Sequence, residues 1–461
     1  MNHERVIEPL TAVCSYINRG AAPSYVEKNG LVVLNQKCIR NQRVNFNEAR
    51  RTDSVVKPVS PEKFLRPNDI LVNSTGVGTL GRVAQVQELS EPATVDSHVT
   101  IVRADPKKAS PKYLGFALRF LQPAIESLGE GSTGQTELSR DRLGQIAIPL
   151  PPKEEQHAIA SVLGTLDDKI ELCRRMNETL KTLARSVFHS WFVNFDLVRS
   201  SGGSFQESAI GKVPKGWKVE RLDKHITADR GLSYKGEGLR EDGTGLPMHN
   251  LNSVYEGGGY KHEGIKYYAG EYREKHLLQP GDMIVTNTEQ GFDHLLIGHA
   301  AIVPKRYGPK GLFSHHIYRV RHKPSSPFSP HYLVELFNNP RWHYWISGFS
   351  NGTTINMLPK DALEMPQLVV PPDDLVRKFT ALATAVHAQV EANLEESNTL
   401  ATLRDALLPK LLSGELRASP QIASKFEGGA TNRSRSVRWN GNGETRTPQS
   451  RTQEIVSQLK P

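Results

Sequence analysis

Apolar residues fall at helical spacing in two long stretches and at strand spacing elsewhere, and this contrast divides the chain. Beyond Pro151-Pro152, Ile159, Leu166, Cys173, Leu180 and Val187 recur in heptad phase. Val162, Met176 and Leu183 take the intervening position, with Leu163, Ile170 and Ala184 beside them. Such a pattern predicts a long helix with a coiled-coil seam. A second stretch opens at Pro371-Pro372, an offset of 371 − 151 = 220 residues. There the same phase selects Phe379, Val386, Asn393, Leu400 and Leu407, with Leu382 and Leu403 on the intervening position. Lys169 interrupts the first seam, and Gln389, Asn393 and Glu396 make the middle of the second polar. A buried Asn in a seam can set register and partner number. Two helices in one phase suggest a pair.

The segments between the helices carry short strand patterns, among them Leu31 to Leu34, Asp69 to Val72 and Val99 to Val102, with a helix at about 111 to 128 and turns at Gly76, Gly78 and Gly81. Their order repeats. Leu10 with Arg19-Gly20 recurs as Leu222 with Arg230-Gly231, and the run from Pro67 to Val72 recurs from Pro280 to Val285. Ser97-His98 matches Ser314-His315, and the loop from Gly131 to Thr136 matches Asn351 to Thr354. An ordered repeat of this length indicates duplicated units. The expected fold is α+β: two similar mixed α/β domains joined by two long helices that form an antiparallel coiled coil, pseudo-two-fold symmetric. The expected boundaries are 1–150 and 201–370 for the domains, 151–200 and 371–416 for the helical regions, and 417–461 for a basic tail. The tail is poor in apolar residues and predicted to be disordered.

A length of 461 residues favours more than one core, and a hydrophobic content of 38% supports globular folding. No apolar run approaches the roughly 18 residues of a membrane helix. The first residues include acids and no apolar core, unlike a signal peptide. The three cysteines lack metal-ligand spacing, and a reduced cytoplasm is the expected setting. The net charge is +9, of which the tail, with eight Lys or Arg against three Glu, holds +5. Residues 1–150 carry 19 bases and 15 acids, residues 201–370 carry 20 and 17, and the helical regions are neutral to acidic. This distribution suits two domains that touch phosphates, joined by helices with another task.

Catalytic signals are missing. The run Gly76-Val77-Gly78-Thr79-Leu80-Gly81-Arg82 lacks the Lys-Ser/Thr of a nucleotide-binding loop. His294, His299, His315 and His316 have no paired-carboxylate or helical partner of the kind metals need, and read as surface or satisfied residues. Asp282 and Glu289 alone do not make a metal nuclease. There is no Asn/Asp-Pro-Pro-aromatic motif of an amino-methyltransferase. No catalytic or metal site is expected; the rival is a self-contained DNA methyltransferase or nuclease with an unrecognised site.

Ile148-Pro149-Leu150-Pro151-Pro152 with Glu155-Gln156, Ile159-Ala160 and Leu166-Asp167-Asp168-Lys169-Ile170 resembles the central region of type I restriction-modification specificity subunits. So do the runs Trp191 to Asp196, Gly211 to Trp217 and Leu408 to Leu416. The resemblance covers about residues 1–416; Leu197 stands where the family often has Pro, and Asp373-Asp374-Leu375 lacks the Glu-Gln of the first copy. It implies a non-catalytic, DNA-binding subunit with two target-recognition domains, each reading one half of a split, asymmetric double-stranded site. The helices would set the spacing and bind two modification (methyltransferase) subunits, through which restriction (translocase and nuclease) subunits join. S-adenosylmethionine, ATP and magnesium are expected only on those partners, so this chain needs no cofactor.

On that expectation Arg40, Arg43, Arg50 and Arg51, with Lys57, are candidate DNA contacts from a basic run that reads as a loop-rich insertion. Their counterparts in the second domain are Lys235, Arg240, His249, Asn250 and Asn252 on a glycine-rich loop. Ser132, Thr133, Gln135, Thr353 and Thr354 read as structural turns.

Overall fold

The strands expected near residues 31, 69 and 99 form at Leu31–Leu34, Ile70–Asn73 and Val99–Ala104. The computed structural model describes residues 5–130, 136–290, 293–352, 355–419 and 421. The loop residues Ser132, Thr133, Gln135, Thr353 and Thr354, and the tail beyond 421, lie outside the described residues. The chain divides into two units, Met1–Leu172 with Glu396–Pro461 and Cys173–Glu395. Among the described residues no helix is long and apolar enough to cross a membrane.

In the first unit an antiparallel sheet has the order Cys14–Arg19, Val99–Ala104, Ile70–Asn73, Val83–Gln85. One of its faces packs on the helix Pro111–Phe120 and on the first turns of the first long helix, through Val72, Val102, Leu114, Ala117, Ile159 and Leu163. The other covers a second sheet in which Ala93–Val95 runs parallel to Leu31–Leu34. Strands Val6–Pro9 and Ala147–Leu150 pair antiparallel, closing the domain where the long helix leaves it.

The second unit repeats this plan. Its antiparallel sheet is Ile226–Arg230, Ile317–His322, Met283–Thr286, Ala300–Ile302. A second sheet has Leu246–His249 parallel to Gly311–Phe313, and Lys218–Arg221 closes against Gln367–Val370. The same ion pair fastens both central sheets: Arg103 grips Asp69 at 2.7 Å through two nitrogens, and Arg321 grips Asp282 at 2.6 and 2.7 Å. The fold is thus α+β, with two similar mixed domains. The register of the repeat differs from the sequence match by one residue at one place. His98 immediately precedes Val99–Ala104 and His316 immediately precedes Ile317–His322, so His98 corresponds to His316 and not to His315.

The long helices are Lys153–Phe188 and Asp373–Ser413, and each passes from one unit into the other. They are antiparallel within each unit: Lys169 meets Glu396 and Asp167 meets Arg404 in the first, while Asn177 meets Asn393 and Phe188 meets Phe379 in the second. The first core position is as expected, with Ile159, Leu166, Cys173, Phe379, Val386 and Asn393 buried. The intervening position is so only in part: Val162 is buried, and Leu382 and Leu403 are partly buried. Met176 and Leu183 are 38% and 46% exposed, and burial falls one residue later on Leu163, Ile170, Asn177 and Ala184, as it does on Ala383, Val390 and Leu411 of the second helix. The pattern misled because large apolar side chains lie outside the seam while Asn177 lies inside it. Asn177 accepts from the Asn393 amide at 2.8 Å, and Gln389 donates to Asn393 at 2.8 Å, so the polar layer is internally satisfied. Lys169 does not interrupt the seam; it lies beside it and pairs with Glu396 at 3.3 Å.

Each domain is bolted to its part of the helix pair. In the first unit Asp167 accepts from Arg119 of the helix Pro111–Phe120 at 2.5 Å and from Arg404 of the second long helix at 2.6 Å. In the second, one wide turn at His189–Val193 follows the first long helix and turns Phe192 onto Tyr332 and Phe379, beside Phe188. Phe195 then packs edge-on against Trp217.

Burial works to raise the Asp167 carboxyl, but the two guanidinium groups outweigh it and hold it below the usual carboxylate range. Asp167→Asn takes the shared carboxylate from both arginines and leaves Arg404 with Asp405 alone, a loss of about 3–5 kcal/mol for a buried pair. The contribution is present above about pH 4, the unfolded value, and is lost as the pH falls through the depressed folded value. Urea unfolding of both proteins at pH 7, followed by amide exchange in the helix Pro111–Phe120, checks this; equal stability contradicts it.

Candidate nucleic-acid interface

The repeated motifs that are not part of the cores gather at one end of each central sheet. In the first unit Gly20 follows strand Cys14–Arg19 and lies so close to the chain before Val99 that an added Cβ would meet the Val95 carbonyl oxygen at 1.9 Å. This close approach needs glycine. It sets Arg19 opposite Thr100, where its guanidinium donates to the Leu138 carbonyl at 2.9 Å and pairs with Glu137. Thr75, just past strand Ile70–Asn73, bridges to Glu137 by its backbone and places its hydroxyl 2.8 Å from His98 Nδ1.

The second unit builds the same end. A Cβ on Gly231 would meet the Ser314 carbonyl oxygen at 2.2 Å, and Arg230 lies opposite Tyr318. Thr288 pairs with Met357 across two short strands, and its hydroxyl is 3.0 Å from His316 Nδ1. Arg230 reaches the Met357 sulfur at 3.7 Å, so a thioether stands where the first unit has the Glu137 carboxylate. Burial, then His315 and Arg230, lower the pKa of His316.

The residues expected to touch DNA are spread over several settings. Arg40 and Arg43 face each other in a short hairpin; Arg40 is exposed, while Arg43 pairs with Glu171 of the first long helix at 2.9 Å. Lys57 is exposed. Arg50 and Arg51 lie in a strand of the second sheet, Arg50–Thr52, and not in a loop. Arg50 stacks on the Tyr25 ring at 3.4 Å, and Arg51 holds Glu91 through two bonds of 2.8 and 3.0 Å.

In the second unit Lys235 is exposed, and Arg240 donates to the Glu237 and Leu239 carbonyls. His249 and Asn250 are buried. His249 Nδ1 meets the Tyr260 hydroxyl at 2.8 Å, and Asn250 accepts from the Asn252 amide and donates to the Met248 and Gly264 carbonyls. Their bonds hold the local chain, which gives them a structural role here; exposed Asn252 takes part through its backbone. Their polar character in a glycine-rich loop did not reveal this burial. Arg19 and Arg230 and the histidines were visible only as pieces of the repeat, and Thr75 and Thr288 carried no signal beyond their place after a strand.

Asp282 and Glu289 serve the fold. Asp282 pairs with Arg321, and Glu289 accepts from the amides of Leu295, Leu296 and Ile297. Among the described residues no group of three His, Cys, Asp or Glu could hold a metal ion.

The chain is thus a duplicated α+β fold on paired helices, with matching polar sheet ends. Residues 26–182 match the type I restriction modification DNA specificity domain. The chain is 24% identical over 387 residues to the type I restriction enzyme MjaIX specificity subunit of Methanocaldococcus jannaschii, covering 81% of this chain and 83% of that one. It is 22% identical over 452 residues to the HindI specificity subunit of Haemophilus influenzae, covering 86% and 95%. The crystal structure of a type I restriction-modification system S subunit from M. genitalium shares the fold, with a TM-score of 0.54, 16% identity and coverage of 89% and 97%. The chain is thus similar to type I restriction-modification specificity subunits over most of its length.

Buried histidines give the second unit an acid-sensitive core. Burial pushes His249, His262, His299 and His387 down to about 4, helped by Arg306 at His262, His343 at His299 and His331 at His387. In the unfolded chain these rings take up protons near pH 6.5, so stability from keeping them neutral is full above that pH and falls steadily toward pH 4. Trp191, Trp217, Trp342 and Trp345 all lie in this unit. Urea midpoints followed by tryptophan fluorescence should drop between pH 7 and 5; a flat profile contradicts the assignment.

Proposed function

We propose that this chain selects a bipartite, asymmetric double-stranded DNA target, one half read by each of two target-recognition domains, residues 1–150 and 201–370. The observation that carries the reading is the duplication itself: the same sheet order, the same Asp–Arg clasp and the same polar sheet end occur in both units. Two unlike copies of one recognition domain suit two unlike half-sites. The helical regions 151–200 and 371–416 act as spacer and as the docking site for two modification subunits, which in turn recruit restriction subunits. S-adenosylmethionine, ATP and magnesium serve those partners, and the complex works in the cytoplasm. The basic tail, 417–461, adds nonspecific affinity and is dispensable for sequence choice.

Co-expression with its modification subunit, followed by sequencing of methylated DNA, tests the reading. A split motif with two unlike halves is expected; an undivided motif, or methylation by this chain alone, overturns it. Within the first domain, Arg40 and Lys57 are candidate contacts exposed to solvent, as is Arg50, which stacks on Tyr25. Alanine at both Arg40 and Lys57 should weaken duplex binding and lower the log–log salt slope by about one to two while the motif stays the same. Arg43→Ala should instead loosen the hairpin from the helix, seen as faster amide exchange at Ile39–Arg40. Unchanged affinity and slope in the double variant would remove these two residues from the interface.

A further inference from the structure

The two sheet ends are alike in one set of residues and unlike in another. Arg19, Thr75 and His98 have their counterparts in Arg230, Thr288 and His316, at the same points of the same strands. The residue opposite the threonine is not shared: Glu137 in one unit, Met357 in the other. Two unlike half-sites present different base edges but the same sugar–phosphate chain. Residues common to equivalent positions therefore fit what the half-sites share, and residues that differ fit what distinguishes them.

Resting on the function proposed above, we infer that the paired Arg–Thr–His sets grip the phosphate backbone at the two half-sites, and that Glu137 and Met357 face the part of each half-site that differs. Guanidinium and imidazole N–H are phosphate donors, and the threonine hydroxyl orients the imidazole. With the Thr75 or Thr288 hydroxyl donating to Nδ1, the ring proton sits on Nε2 as a donor that needs no positive charge. His98 and Arg230 are exposed, and Arg19, Thr75 and His316 are partly so. Arg19 is tied to Glu137 whereas Arg230, among the described residues, meets the Met357 thioether on that side, so Arg230 is the stronger electrostatic contact of the two.

The test uses the full chain in complex with its modification subunits and a duplex carrying the wild-type methylated motif, titrated with salt. Arg230→Ala should weaken binding about tenfold and lower the salt slope by about one, and Arg230→Lys should keep the slope. His98→Ala and His316→Ala should each weaken binding about threefold with little change in slope, and the methylated motif should stay the same in every variant. Affinity and slope unchanged in folded complexes would overturn the inference. So would an altered half-sequence in Arg230→Ala or either histidine variant, because those groups would then read bases. A wild-type complex without a split motif would instead defeat the underlying function.

Discussion

Neither long helix can bury its apolar stripe alone, and the rest of the architecture depends on how each unit solves this. In both, the stripe of one helix closes against the other in antiparallel register, and a mixed α/β domain is fastened at that seam. The first unit uses a carboxylate between two arginines, Asp167 with Arg119 and Arg404; the second uses rings, Phe188 and Phe192 against Tyr332 and Phe379. The charged clasp is directional and fixes angles, while the aromatic one fills volume. The buried Asn177–Asn393 pair supplies register: sliding either helix by one turn would strand both amides.

The domains carry this order outward. A fully buried sheet face rests on the helices, and the Asp–Arg clasp closes one end of the sheet. The opposite end is drawn tight by Gly20 or Gly231, where no side chain fits, and polar residues are presented there on strand ends and not on long loops. Rigid strand ends hold donors more accurately than loops do.

Much of this was legible in the sequence because repetition is a strong signal. The heptads, the 220-residue offset and the paired Arg-Gly motifs gave the duplicated α+β plan, and the runs around Pro151, Trp191 and Leu408 carried the resemblance to the family. The finer seam was misread because hydrophobicity alone favoured Met176 and Leu183 over Asn177 and Ala184; only the partner helix shows that Asn177 has an amide to meet. Side-chain function was least visible. Charge does not reveal that Arg43 is spent on Glu171, Arg51 on Glu91 or Asp282 on Arg321, since those partners are distant in sequence. Nor could polarity tell buried His249 from exposed His98.

The division of labour between reading domains and spacer helices can be tested directly. One heptad inserted into each long helix at the unit boundary, after Leu172 and after Glu395, preserves the seam and lengthens the pair by about 10 Å. Base pairs rise about 3.4 Å each, so sequencing of DNA methylated by this variant complex should show the gap between half-sites longer by about three base pairs, with both half-sequences unchanged. A folded, active complex that keeps the original gap, or one that changes either half-sequence, would contradict the account.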